Sequence, residues 1–247
     1  MSRLQTWFSS LAATVVAAAI AYEWIDRPVS FYAHDHFAQY RFFGELPKLS
    51  EALFVIAAAV FVVAGFAALA GRALPRWQSV ALLASVSLIA SETIKQQLKF
   101  VFGRTWPETW TNNNPSLIHD GVYGFNPFHG GSWYGSFPSG HTAAMCAVMS
   151  VLWLCYPKFR PLYGTFVALV VGGLIGANYH FVSDIVVGGF VGASTGYGTV
   201  LLWRSMHAAD VPLPTAIAAQ SPAEAAKPAE NPRIKERQPS AGTARGQ

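Results

Sequence analysis

The sequence predicts an all-α integral membrane protein, built as a bundle of six transmembrane helices. Of its 247 residues, 52% are hydrophobic and only 12% are charged, roughly half the charged fraction of a soluble domain. The apolar residues form long uninterrupted runs instead of alternating at helix or strand period, which is typical of membrane spans. We therefore predict one transmembrane domain over residues 1–205 and a separate tail over residues 206–247.

The first apolar run covers residues 4–22, between Arg3 on one side and Glu23, Asp26 and Arg27 on the other. An alanine-rich run behind an arginine is also typical of a cleaved signal peptide. We favour an uncleaved first helix, because the run is long and the later runs require an even number of crossings.

Residues 28–51 are polar and aromatic, and we interpret them as a solvated or interfacial connector. The triplet His34, Asp35 and His36 suggests a metal site as an alternative. Neighbours in sequence rarely converge on one ion, however, and no further ligand cluster lies near.

Five further apolar runs have a length suited to a bilayer. They cover residues 52–71, 77–93, 141–156, 162–177 and 185–203. Between the third and fourth spans lies a connector over residues 100–137 that is rich in Trp, Tyr and Phe. Such rings anchor loops at a membrane surface, and a connector of this length is also suited to cover a site. The tail is rich in Ala, Pro, Glu and Lys, so we predict that it is disordered.

Charge and crossings together predict the orientation. The formal net charge is +4, but much of it lies in the tail, so it does not indicate a nucleic-acid partner. Six crossings place both termini on one side, together with the basic residues Arg3, Arg72, Arg76, Lys158, Arg160 and Arg204. Basic loops mark the cytoplasmic face. We therefore expect a multi-pass protein of the plasma (inner) membrane, with cytoplasmic termini and opposite loops facing the periplasm or the outside. The sequence does not indicate an oligomeric state.

Three polar clusters then meet at the outward face, where ionisable residues at the ends of membrane helices mark a candidate site. They are Lys99 with Arg104; Ser139, Gly140 and His141; and Asn178, His180 and Asp184. The spacing of His180 and Asp184 lets a carboxylate meet an imidazole across one helical turn. A carboxylate in that position orients the ring and leaves its other nitrogen free to attack. The pattern suggests a nucleophile, an acid and an anion clamp.

These residues resemble the motifs of the type 2 phosphatidic acid phosphatase family. Its motifs are Lys, six residues, Arg-Pro; then Pro-Ser-Gly-His; then Ser-Arg, five residues, His, three residues, Asp. The second motif is complete at Pro138, Ser139, Gly140 and His141, and the third is present at His180 and Asp184. The resemblance covers roughly residues 50–205 and implies a six-helix membrane phosphatase.

The chain departs from the family pattern at two arginines. Trp106 stands where the first motif has Arg, although Arg104 lies two places earlier, and Leu174 stands where the third motif has Arg. Three outcomes are open: Arg104 with Lys95, Asn178 or residues 112–114 supplies the missing contacts; the protein is a slow or narrow phosphatase; or it binds a phosphorylated lipid without cleaving it. We favour an active variant, because His141, His180 and Asp184 are all present.

By that resemblance, His180 attacks phosphorus to form a phosphohistidine, Asp184 orients it, and His141 protonates the leaving oxygen. The substrate-binding residues are then Lys99, Arg104, Ser139, Gly140 and Asn178, with no metal and no cofactor. The expected partners are the bilayer and a phosphorylated lipid. Candidates are a polyprenyl diphosphate, phosphatidic acid, phosphatidylglycerol phosphate and the phosphates of lipid A.

The rival interpretation is a transporter or a non-catalytic lipid-binding protein on the same helices. The sequence shows no inverted repeat of interrupted spans, which disfavours a transporter. Vanadium haloperoxidases share related motifs, but they are soluble enzymes and this chain is strongly apolar.

Overall fold

The computed structural model describes residues 2–37, 39–110 and 113–208. The helices are α1 (Arg3–Ile20), α2 (Asp26–Phe37), α3 (Arg41–Glu45), α4 (Lys48–Leu69), α5 (Arg76–Phe102), α6 (Leu117–Asp120), α7 (Gly140–Cys155), α8 (Arg160–Gly176) and α9 (Val182–Ala208). A π turn, Ala21–Ile25, joins α1 to α2, and short 3₁₀ turns lie at Ser132–Tyr134 and Pro157–Phe159. The predicted disordered tail falls outside the described residues from residue 209 onward.

The predicted helical membrane bundle is confirmed. Five stretches of the described chain are long and apolar enough to cross a membrane: Arg3–Phe37, Arg41–Leu69, Arg76–Phe102, Pro157–Gly176 and Val182–Met206. The predicted fourth span corresponds to α7, which has 16 residues and is a shorter apolar helix. Large apolar side chains face outward on α4, where Val55 is 73% exposed and Leu69 is 87% exposed. Such a surface is suited to lipid and not to water.

The connector predicted at residues 28–51 is largely helical, so this prediction was wrong. The structure continues as helix through Phe37 and resumes at α3 and α4. Pro28 lies inside this helix, although proline removes a backbone hydrogen bond and crowds the preceding turn. The π turn just before it, in which Asp26 N–H bonds to the Ala21 carbonyl, widens the helix where proline needs room.

The histidines of this segment have protein partners. Nδ1 of His34 lies 2.8 Å from Oε2 of Glu108, and Nδ1 of His36 lies 3.0 Å from the carbonyl of Tyr32. No group of three potential metal ligands occurs in the described part of the chain.

Helix α7 lies at the centre of the bundle and contacts α5, α8 and α9. Its residues Ala147 and Val151 are fully buried, as are Leu88 of α5 and Val170 of α8. The face of α9 toward α7 carries glycines; a Cβ atom on Gly192 would lie only 2.2 Å from the carbonyl oxygen of Ala143. The two backbones are therefore in direct contact.

The connector after α5 packs over one end of the bundle. Gly103 ends α5 with a φ of 54°, and a Cβ there would lie 1.8 Å from the carbonyl oxygen of Asn126. The connector is tied back by bonds from Asn126 N–H to the Gly103 carbonyl, at 2.6 Å, and from Ser136 N–H to the Arg104 carbonyl, at 3.2 Å. These bonds fix the positions of Arg104 and Trp106 at that end.

Candidate active site

His180 lies in the turn between α8 and α9 and is held beside Asp184. Its Nδ1 lies 3.5 Å from Oδ2 of Asp184, which is an ion-pair distance for a protonated ring but lies outside hydrogen-bond geometry. Asp184 is in the first turn of α9, where the helix dipole favours a negative charge. Its carboxylate also accepts from the Ser136 hydroxyl and from the Phe181 N–H, at 3.1 Å. With Nδ1 turned to Asp184, Nε2 is the nitrogen left for a ligand.

His141 lies across from His180 in the first turn of α7. The two ring centroids are 6.0 Å apart, and the rings are inclined by 66°. Nε2 of His141 lies 3.5 Å from Oε1 of Glu51 on α4. Rings at this separation are close to edge-to-face contact, so a group that lies beside them can reach both.

The two histidines line one cavity of about 770 Å³. Its wall includes the aromatic residues Phe100, Trp106, Trp110, Tyr134 and Tyr179, and its polar members include Gln96 and Lys99. Among the described lining residues, Lys99 is the one lysine or arginine. The cavity therefore combines an anion-binding group with two histidines.

Trp106 is the part of the wall nearest His180, with ring centroids 5.2 Å apart. Its Nε1 donates to the Ser132 carbonyl at 2.7 Å, and Nζ of Lys99 lies 5.7 Å from its ring centre. The indole thus occupies the place where the family pattern has Arg. At the second such place, Leu174 is fully buried in the apolar core.

Burial controls the ionisation of His180. It lowers the pKa of His180 below the ordinary value of 6.5, although the Asp184 carboxylate opposes this shift and Lys99 adds to it. The imidazole is therefore neutral at neutral pH, which is the form that can act as a nucleophile.

Arg104 lies behind Asp184 and does not line the cavity. Its side chain is fully buried, and its Nη1 donates to Asp184 and, at 2.6 Å, to the Ser183 hydroxyl. Its Nη2 donates to Oδ2 of Asp26 at 2.8 Å. Burial disfavours its charge, but the Asp184 and Asp26 carboxylates hold the pKa of Arg104 above its ordinary value. The structure thus joins Arg104 to the site through Asp184, not through the predicted phosphate contact.

Ser139 and Gly140 shape the start of α7. Ser139 is fully buried and caps the helix: its Oγ accepts from Thr142 N–H at 3.4 Å and from the Thr142 hydroxyl at 3.1 Å. Its own N–H donates to the Asp184 carbonyl at 3.0 Å. A Cβ on Gly140 would lie 3.0 Å from the Lys95 side chain. Neither residue lines the cavity, but together they place His141 beside it.

Asn178 is also outside the cavity wall. Its φ of 56° is left-handed, as needed for the turn after α8. Its side-chain amide donates to Oε2 of Glu108 at 3.4 Å, and it is 2% exposed. It therefore supports the turn that carries His180.

Sequence reasoning did not place three polar residues in this network: Asp26, Ser136 and Ser183. Ser136 lies just before the second motif, and Ser183 is one of the three unspecified residues between His180 and Asp184 of the third motif. Asp26 had been interpreted only as a charge that flanks the first span. A carboxylate at the end of a membrane helix is the one signal that pointed to it.

The fold and the site define a multi-pass helical membrane protein with two histidines facing one cavity that holds a lysine. The chain belongs to the PAP2 superfamily, whose family model matches residues 80–208. This match includes His141, His180 and Asp184 and excludes Asp26 and Glu51.

Two curated relatives are named lipid A 1-phosphatase. The protein from Rhizobium johnstonii (strain DSM 114642 / LMG 32736 / 3841) is 28% identical over 108 residues, which are 43% of this chain and 41% of the relative. The protein from Rhizobium etli (strain ATCC 51251 / DSM 11541 / JCM 21823 / NBRC 15573 / CFN 42) is 27% identical over 103 residues, which are 41% of each chain. The chain thus matches about two-fifths of the length of these relatives. No solved structure matches the chain.

Proposed function

We propose that this protein is a metal-independent phosphatase that removes phosphate from a membrane lipid phosphate or diphosphate through a phosphohistidine intermediate. The observation that carries the proposal is that His180 and His141 face one cavity while Asp184 lies at Nδ1 of His180. Membership of the PAP2 superfamily and the names of the two relatives support the same reaction class.

In the first step, Nε2 of His180 attacks phosphorus and the bond from phosphorus to the lipid oxygen breaks. Protonated His141 donates its proton to the leaving oxygen, and Asp184 stabilises the cationic imidazole of His180. In the second step, His141 takes a proton from water, the water oxygen bonds to phosphorus, and the phosphorus–nitrogen bond breaks. Inorganic phosphate is released and His180 becomes neutral again.

The negative charge of the transition state lies mostly on the non-bridging oxygens of the phosphoryl group. Lys99 is the cation placed to receive these oxygens, and the amino end of α7, where His141 lies, favours an anion through the helix dipole. In this mechanism three residues act without touching the substrate. Arg104 holds Asp184, Ser139 caps α7, and Asn178 supports the turn of His180.

We place the site at the outer face of the plasma (inner) membrane, with the termini in the cytoplasm. The support is the position of two arginines of neighbouring helices at one end of α7. Arg76 and Arg204 donate to the carbonyls of Cys155 and Leu154, at the carboxyl end of α7, at 3.3 and 3.4 Å. His141 lies at the opposite end of that helix. A basic end typical of the cytoplasmic face and a catalytic end thus lie on opposite sides.

Phosphate release by detergent-purified protein tests the function. The panel contains lipid A phosphates, phosphatidic acid, phosphatidylglycerol phosphate and a polyprenyl diphosphate, each with a chelator present. We expect release from at least one lipid and none from the His180→Ala variant. Release by that variant, or loss of release on adding chelator to the wild-type protein, contradicts the mechanism.

A non-catalytic lipid-binding protein is the second candidate. It is favoured by Trp106 and Leu174 at the two arginine positions, which leave Lys99 as the one lysine or arginine of the described cavity wall. Saturable binding of a lipid phosphate without release from any member of the panel identifies this function.

A further inference from the structure

Asp26 is a carboxylate of the N-terminal helices that is fully buried against the site network. Its Oδ1 accepts from the backbone N–H of Ser183 at 2.9 Å. Its Oδ2 accepts from the Ser183 hydroxyl and from Nη2 of Arg104, at 2.8 Å, and lies 3.2 Å from the Tyr123 hydroxyl. A buried charge with this many donors is held in one position.

Arg104 lies between two carboxylates, Asp26 on one side and Asp184 on the other. Its guanidinium also contacts aromatic rings, with centroids 4.2 Å away at Phe181 and 5.0 Å away at Phe125. The rings exclude water, so the charges interact more strongly than they would at a surface. Two carboxylates and one guanidinium leave one negative charge in the cluster, and the Asp184 end of that cluster faces His180.

Ser183 links the two carboxylates a second time. Its hydroxyl accepts from Nη1 of Arg104 and donates to Asp26, while the next residue, Asp184, accepts from the same Nη1. Asp26 therefore fixes both the guanidinium that holds Asp184 and the backbone turn from which Asp184 projects.

We propose that Asp26 is a positioning residue of the site. Through Arg104 and Ser183 it holds the Asp184 carboxylate against His180. Its own negative charge balances the charge of Arg104, so that Arg104 does not neutralise Asp184 alone. This inference rests on the proposed phosphatase function. Asp26 is not among the residues that line the described cavity, so it acts through Asp184 and not on the substrate. It also lies outside residues 80–208, where the superfamily model matches.

The Asp26→Asn variant tests the proposal, because it keeps the shape and removes the charge. Arg104 then neutralises Asp184, and the cationic form of His180 loses support. The charged and titratable groups around His180 are Asp184 on α9, Lys99 on α5 and His141 on α7, and none of them is altered. We expect kcat to fall about tenfold, as for other outer partners of a functional histidine, with KM nearly unchanged. The acid limb of the kcat/KM profile should move to lower pH.

Three matched variants separate positioning from general damage. Glu23→Gln removes an exposed carboxylate from the π turn, and Ser30→Ala alters a buried position one turn further along α2; both should keep the wild-type kcat. Asp26→Glu retains the charge, so its acid limb should stay at the wild-type pH even though kcat falls. A folded Asp26→Asn protein with wild-type kcat and acid limb overturns the proposal.

If Asp26→Asn does not yield folded protein, Ser183→Ala decides the question, because it keeps every charge and removes the hydroxyl that donates to Asp26 and accepts from Arg104. We expect kcat to fall about tenfold at constant KM, roughly the effect of losing a hydrogen bond to a charged group. An unchanged kcat overturns the proposal. A wild-type protein that releases phosphate from no lipid instead contradicts the phosphatase function itself, which keeps the two failures distinct.

Discussion

At the scale of single residues, the site is notable for how little positive charge it offers a phosphate. The described cavity wall carries Lys99, while an indole fills the place nearest His180 and Arg104 is bound to two carboxylates. A phosphoryl group is stabilised mainly by charge and donors around its oxygens. In the proposed reaction, Lys99 and the amino end of α7 therefore supply most of that stabilisation.

Lys99→Gln should lower kcat/KM by about a hundredfold, the usual effect of losing one strong donor to a transition-state anion. Phosphate-release kinetics on the preferred lipid measure the change. Lys158→Gln, at the opposite end of α7, serves as the control because it removes the same charge from an exposed turn. A Lys99→Gln enzyme with wild-type kcat/KM contradicts the assigned role.

The pH dependence should follow His180. Its folded-state pKa lies below the ordinary 6.5, so the neutral nucleophile persists as the pH falls to 6.5 and is lost only at lower pH. The same sign makes folding less favourable in acid, since the unfolded chain takes up the proton first. A kcat/KM profile from about pH 4.5 to 8 checks this.

The lipid phosphate itself ionises near pH 6, so the profile needs a comparison with Asp184→Asn on the same substrate. This variant lacks the carboxylate that favours the protonated imidazole, and its acid limb should lie at still lower pH. A wild-type midpoint above 6.5 is the result that contradicts the assignment.

At the scale of elements, α7 and α9 form the frame of the site because their backbones touch. A Cβ would lie 2.5 Å from the Ser139 carbonyl at Gly188 and 2.7 Å from the Ala147 carbonyl at Gly196, one helical turn on either side of Gly192. Small residues at this spacing let membrane helices approach closely. His141 and Asp184 are thus mounted on two helices that cannot slide past one another.

Gly192→Ala should destabilise the protein by about 1–3 kcal/mol, because the added methyl overlaps the α7 backbone. Gly198→Ala is the matched control on the same helix, since a Cβ there meets nothing within 4 Å. That change should be neutral or stabilising by about 1 kcal/mol, as expected for glycine to alanine in a helix. Melting temperatures in one detergent compare the two, and equal melting temperatures contradict the close contact.

The apolar runs predicted the spans, because membrane helices are defined by composition over many residues. The spacing of His180 and Asp184 likewise predicted their meeting, since it is local. The polar and aromatic composition of residues 28–51 misled the prediction of the first connector, because such residues also form helices where the rest of the bundle packs against them. The partner of Arg104 had no local signal: Asp26 lies 78 positions away in the sequence. Contacts of that kind arise only from the packing of whole helices.

At the scale of the whole molecule, the proposed orientation has a direct test. Ser132→Cys places a thiol in the cavity wall and Lys158→Cys places one at the basic end, both in a background with Cys146→Ala and Cys155→Ala. We expect a membrane-impermeant maleimide to label the first in intact spheroplasts and the second only after lysis. The reverse pattern contradicts an outward-facing site.

The bond between Asp26 and Ser183 also bears on how the protein is made. It joins positions 157 residues apart, so α2 must remain in the bilayer until α9 has been synthesised. Until then Asp26 can pair with Arg104 but lacks its two donors from Ser183, and Arg104 lacks Asp184, so the buried charges are only partly compensated. Formation of this cluster is thus a late step of assembly. A nascent chain that ends before α9 lacks Asp184, and its buried Asp26 and Arg104 lack the partners that α9 supplies.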